Sequence, residues 1–120
     1  IMIEKQKGLK RLIAAARNSA KGFRTCFETE EAFRQEVALA VILTPLAFWM
    51  GDNRGEILWL ITAIFLVLSA ELANTAIERV VDRISTDLHP LSGDAKDIGS
   101  ALVMLSLGFF VFVWSMVIFF

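Results

Sequence analysis

The chain has 120 residues, 56% of them hydrophobic, and a net charge of −1 at pH 7. That is one domain's length, and a soluble protein this small has too little interior to hide so much apolar surface. One cysteine, Cys26, rules out an intrachain disulfide and implies no oxidising compartment.

Charge is unevenly spread. Residues 1–26 carry seven Lys or Arg and only one acid, Glu4, whereas the remainder carries five basic and twelve acidic residues. The basic segment suits an anionic membrane surface, and without an aromatic-interleaved basic patch or zinc-ligand spacing no nucleic acid is expected as a partner. Lys10 and Arg11 interrupt any signal-peptide core. The first residue is Ile rather than Met, which leaves room for a short upstream piece. No repeat or linker divides the chain, so a single domain over 1–120 is expected.

Residues 3–27 place Ile3, Leu9, Leu12, Ile13, Ala16, Ala20, Phe23 and Phe27 along one helical face, with most of the lysines and arginines opposite. This predicts an amphipathic helix lying in the membrane interface. TEEAF, residues 29–33, reads as a helix start capped by Thr29, with Glu30 and Glu31 favouring the positive end of the dipole. A first span over about 32–50 follows, short in its apolar part and containing Pro45, which membrane helices tolerate. GDNRGE, residues 51–56, is a turn between the interfacial anchors Trp49 and Trp59.

Ile57 to Ile77 contains a single charge, Glu71, and predicts a second span over about 57–81. STDLHPLSGD, residues 85–94, reads as a polar loop, and Ile98–Phe120 is uncharged throughout, giving a third span over about 96–120. The expected fold is therefore all-α, a membrane protein with three transmembrane helices and an N-terminal surface helix. Lys and Arg cluster in the N-terminal segment and the 79–97 connection, which puts both in the cytoplasm and the C-terminus outside.

A carboxylate within an apolar span is costly and usually functional. At 100° per residue, Glu71, Asn74, Thr75, Glu78 and Asp82 share one stripe and form a polar ladder from lipid depth to the cytoplasm. Glu30 and Glu31 stand at the cytoplasmic start of the first span, and Lys96 and Asp97 at that of the third. Hard oxygen ligands with a lysine suit Mg²⁺ and polyphosphate, and phosphoryl transfer needs positioning, neutralised charge and a base. No GxxxxGK[ST], GxGxxG, HRD or DFG pattern occurs, so a kinase of this sequence is neither P-loop nor protein-kinase-like. His89, in a loop without a nucleophile elbow, supports no Ser-His-Asp chemistry. A proton- or ion-relay protein using Glu71 and Glu78 is a rival reading, but it leaves Lys96, Asp97 and the basic helix without a task. A non-catalytic assembly subunit is another.

ELANTAIERVVD (71–82), EEAFRQE (30–36) and LSGDAKDIGSA (91–101) resemble the signatures of prokaryotic diacylglycerol kinases, in matching order from about residue 8 to 120. Ala73 departs from the larger aliphatic residue usual in that family, off the Glu71–Glu78 stripe. The resemblance implies a bacterial inner-membrane homotrimer of three-span chains with active sites shared between chains, transferring the ATP γ-phosphate to diacylglycerol to give phosphatidic acid. It implies Glu71 as general base and Glu30 and Glu78 as ligands of a divalent metal, Mg²⁺. It places Arg11, Asn18, Glu30, Glu78, Asp87, His89, Lys96 and Asp97 around ATP, and Phe33, Arg34, Gln35, Glu36, Glu71, Asn74 and Ser100 around the lipid. Asn18 lies where the match is loose, and Pro90 and Asp94 lie in a variable loop. A polyprenol kinase, such as one for undecaprenol, would share the chemistry with a different acceptor. Three helices are not expected to screen Glu71 fully from lipid, so a neighbouring chain is expected to cover it, with Ser69, Ala73 and Ala76 permitting close helix approach.

Overall fold

The computed structural model describes residues 7–120, so Ile3 and the first residues of the expected surface helix lie outside it. Four helices follow in chain order: α1 (Gly8–Thr29), α2 (Glu31–Met50), α3 (Arg54–Ile84) and α4 (Pro90–Phe119). Three of them, α2, α3 and α4, are long and apolar enough to cross a membrane. The protein is all-α and membrane-spanning in type.

Helix α1 begins at Gly8, whose φ of +64° is a left-handed entry that a side chain would strain. Its apolar residues Leu9, Leu12, Ile13, Phe23 and Phe27 are exposed, as a helix buried in an interface rather than in a protein core requires. Thr29 does not cap α2. It is the last residue of α1, and its hydroxyl donates to the Thr25 carbonyl at 2.7 Å. The single residue between the helices is Glu30, in extended conformation. The elbow is held by the orphan carbonyls of α1: Cys26 O accepts from Glu30 N at 2.9 Å, and Arg34 Nη1 donates to Phe27 O and Glu28 O at 2.9 and 3.0 Å. These are three of the four groups that a helix C-terminus leaves unsatisfied.

The turn after α2 is closed by Asn53, whose side chain caps α3 by accepting from Glu56 N at 3.0 Å, while Glu56 returns a carboxylate to Asp52 N at 2.9 Å. Gly51 is required there, since a Cβ would meet Ile57 and the Ala47 carbonyl. Helix α3 then runs 31 residues, or ~46 Å, and contains the expected span of 57–81 with three further residues at each end. The polar loop shrinks to residues 85–89, because α4 starts at Pro90 rather than in the mid-nineties. Proline suits the first helical position, where its missing N–H costs nothing, and His89 Nδ1 caps the helix by accepting from Leu91 N at 3.1 Å.

Helix α3 packs chiefly on α4 and next on α2. The densest packing, Ala47, Leu60, Ala63, Ile64, Val113 and Trp114, lies where the end of α2, the start of α3 and the end of α4 meet. Trp114 stacks on Phe110 at 5.3 Å, and its buried indole N–H is satisfied by the Leu60 carbonyl at 3.2 Å. Apart from Arg54 and Glu56 in its first turn, the charged residues of α3 gather toward the opposite end.

Candidate active site

Glu71, Asn74, Thr75, Glu78 and Asp82 do form one stripe of α3, and each has a distinct environment. Glu71 is buried at 7% exposure within the single chain. The expectation that only a neighbouring chain could cover it is therefore corrected. The α1–α2 elbow folds over this part of α3, and Cys26 and Phe33, each 3% exposed, are carried in with it. Cys26 Sγ lies 3.7 Å from Thr75 Oγ1, one turn from Glu71.

The elbow also brings Glu30 into range. Glu30 and Glu78 both act electrostatically on Glu71, and Glu71 acts on Glu36. The ion pairs among the described residues are Arg24–Glu28 and Lys96–Asp82, so none of Glu30, Glu71 and Glu78 is neutralised by a salt bridge. Glu71 is buried, while Glu30 and Glu78 are only half-buried; a buried carboxylate with no ion-pair partner is costly, and a cation nearby relieves it. No three His, Cys, Asp or Glu side chains among the described residues stand close enough to chelate an ion. Mg²⁺, which takes one or two carboxylates and completes its shell with waters and substrate phosphates, fits such a set better than a metal needing a full protein cage.

Asn74 orients Glu78: its Nδ2 donates to Glu78 Oε1 at 2.8 Å. The amide oxygen faces Gly99 of α4, in space that a Cβ at Gly99 would occupy. This Oδ1 and Glu36 Oε2 are the buried side-chain oxygens without a partner among the described residues. Among the described residues, Glu36 is the one charged residue lining an apolar cavity of about 80 Å³, with Leu39, Leu43, Val67, Leu107 and Phe110. A carboxylate bordering an apolar slot, three residues and nearly one turn from Phe33, suits the headgroup end of a lipid. Arg34 turns its guanidinium to the end of α1, as described, while Gln35 and Ser100 are exposed and make no side-chain hydrogen bond among the described residues.

One turn beyond Glu78, Lys96 Nζ and Asp82 pair at 2.8 Å. They line a cleft of about 110 Å³ with Asp87, His89 and Ser92, so three of the residues expected around ATP share one opening. Asp97 is exposed beside it. Arg11 and Asn18 are not brought there. Both are exposed on α1 without hydrogen bond or ion pair among the described residues, and Arg11 is ~22 Å along the helix from Cys26. Sequence reasoning assigned no role to Cys26, Arg79 or Gly99, nor a partner to Asp82; only Asp82 and Thr75 carried a signal, their place on the stripe.

The model of the family described as "Prokaryotic diacylglycerol kinase" matches residues 17–118. The chain belongs to the prokaryotic diacylglycerol kinase family. It is 46% identical over 116 residues to the diacylglycerol kinase of Haemophilus influenzae, covering 97% of this chain and 98% of that one. It is 44% identical over 113 residues to that of Pseudomonas aeruginosa, covering 94% and 92%. The corresponding enzyme of Escherichia coli K12 is 40% identical over 113 residues, covering 94% and 93%. A diacylglycerol kinase is an enzyme, and this membrane-spanning family member has buried its candidate base, Glu71, beside two further carboxylates.

Proposed function

We propose that this protein transfers the γ-phosphate of ATP to the primary hydroxyl of diacylglycerol, giving phosphatidic acid and ADP, at the cytoplasmic face of the bacterial inner membrane. The observation that carries the reading is that a family member buries Glu71, without an ion-pair partner, on the same α3 stripe as Glu78, between an apolar cavity and a polar cleft. The cavity side receives the lipid, near Phe33, Glu36, Asn74 and Ser100. The cleft side receives the nucleotide, at Asp87, His89, Lys96 and Asp97.

Glu71, recessed from water, takes the proton of the acceptor hydroxyl as its oxygen attacks the γ-phosphorus. The bond from the γ-phosphorus to the bridging oxygen breaks, and ADP leaves with that oxygen. Lys96, held by Asp82, balances phosphate charge. Glu30 and Glu78 would hold Mg²⁺, which when bound neutralises the phosphate oxygens. Asn74 keeps the Glu78 carboxylate turned toward that position.

The working unit is a homotrimer with shared sites. Two features support this: the broad apolar faces of α2, α3 and α4 left exposed by the single chain, and the distance of Arg11 and Asn18 from their own chain's cleft. A groove of α3 and α4 floored by Ser69, Ala70 and Ala73 admits a neighbouring helix closely. With α1 and the α3–α4 turn cytoplasmic, the C-terminus is outside.

The deciding assay is ATP-dependent phosphorylation in mixed micelles with Mg²⁺, comparing diacylglycerol with undecaprenol. Labelled phosphatidic acid is expected. Labelled undecaprenyl phosphate alone would move the protein to polyprenol kinases, and product from neither lipid would overturn the kinase reading.

A further inference from the structure

Two side-chain hydrogen bonds join helix α1 to helix α3 among the described residues, and both lie just before the candidate metal ligand Glu30. Cys26 meets Thr75 at 3.7 Å. Arg79 Nη2 donates to Thr29 Oγ1 at 2.7 Å, across fifty residues of chain. The Thr29 hydroxyl has one proton, and it is already given to the Thr25 carbonyl at 2.7 Å. Its oxygen is therefore free only to accept, which is what a guanidinium needs. The result is a directed chain from Arg79 through Thr29 to the backbone of α1, of the kind in which each bond polarises the next.

Thr29 is followed at once by Glu30, the one residue between α1 and α2. Arg79 itself follows Glu78 on α3. The contact thus ties the backbone beside one carboxylate to the backbone beside the other. On the far side of Glu30, Arg34 clamps the same helix end. We infer that Arg79 is a positioning residue for the reaction: through Thr29 it fixes the α1–α2 elbow, so that the Glu30 carboxylate is held beside Glu71 and Glu78. The inference rests on the proposed role of Glu30 and Glu78 as metal ligands.

The buried sole cysteine gives a readout independent of catalysis. Cys26 lies under the same joint, so loosening the joint uncovers it. The variants are Arg79→Leu, Thr29→Val, which keeps the shape without the hydroxyl, and Thr29→Ser, which keeps the hydroxyl. Full-length protein in detergent is tested for alkylation rate with N-ethylmaleimide. Mn²⁺ affinity in the presence of a non-hydrolysable ATP analogue is read by electron paramagnetic resonance. Arg79→Leu and Thr29→Val should each speed alkylation of Cys26 at least tenfold and weaken Mn²⁺ binding about tenfold, or ~1.4 kcal/mol. Their combination should be no worse than either alone, and Thr29→Ser should behave as wild type.

Cys26 staying protected while the ATP requirement rises would make Arg79 a substrate contact and overturn the inference. Faster alkylation with unchanged Mn²⁺ affinity would reduce the joint to a structural tie and overturn it equally. A wild-type protein that phosphorylates no lipid would refute the kinase reading, while the alkylation comparison would still report on the joint.

Discussion

Gly99→Ala tests how the α3–α4 contact aims Glu78. The added methyl would fall on Asn74 Oδ1, with Asn74 Cγ at 3.4 Å and Ile77 Cδ1 at 3.7 Å. Alanine favours a helix over glycine by about 1 kcal/mol. Against that, forcing a methyl into a packed contact costs about 1–3 kcal/mol. If Asn74 swings away, its bond to the Glu78 carboxylate is lost, at about 1.5–3 kcal/mol for a charged acceptor. The balance is a net loss of roughly 1.5–5 kcal/mol. Two measurements follow: thermal inactivation in detergent, and the Mg²⁺ concentration giving half-maximal phosphorylation. Both should worsen in Gly99→Ala. Asn74→Ala removes the obstructing amide, so adding Gly99→Ala to it should cost almost nothing further. A Gly99→Ala protein with wild-type stability and Mg²⁺ requirement, or a double variant whose losses simply add, would refute the reasoning.

Glu71→Gln should abolish turnover while leaving the assembly intact by size-exclusion, because an amide keeps the shape and cannot take a proton; more than a tenth of the wild-type rate would exclude Glu71 as base. Glu30→Gln and Glu78→Gln should each raise the Mg²⁺ requirement, with a double variant far from additive, as for two ligands of one ion. If sites are shared between chains, unfolding, mixing and reassembling the inactive Glu71→Gln and Arg11→Ala proteins should restore diacylglycerol phosphorylation; a dead mixture with confirmed subunit exchange would place each complete site in one chain. Burial holds the Cys26 thiol above its ordinary range, with the Thr75 contact working the other way, so its alkylation should remain slow at pH 8 and accelerate only at higher pH. The unfolded chain ionises first, so the contribution of this buried neutral thiol to stability starts to fall in the ordinary thiol range and goes on falling until the pH passes the raised folded value, as thermal inactivation from pH 7 upward would show.

The three spans were legible because long uncharged runs have few alternative fates, and the polar stripe of α3 because helical periodicity is local. Helix ends were less so. Residues 90–94 look like loop by polarity, yet Pro90 at the first position and His89 as cap start α4 there. Thr29 has a cap's chemistry, but its hydroxyl was claimed by the preceding turn of α1. What the one-dimensional pattern left out entirely were the partners across space. Cys26 and Thr75, Thr29 and Arg79, and Asn74 and Gly99 each pair across distinct helices, and nothing in spacing or composition couples them. The burial of Glu71 was missed for the same reason, since it depends on α1 turning back at a one-residue elbow.

The separation of the Ala47–Leu60–Trp114 packing from the carboxylate end divides the molecule mechanically. One end is a stem locked by dispersion across three helices. The other is laced by single polar contacts, each costing little to open. Loosening should therefore begin at the laced end, with the stem still closed. On the proposed function, a lipid entering sideways from the bilayer would part the helices there without unseating the spans from one another, and the weakness that first admits heat damage would serve substrate entry as well.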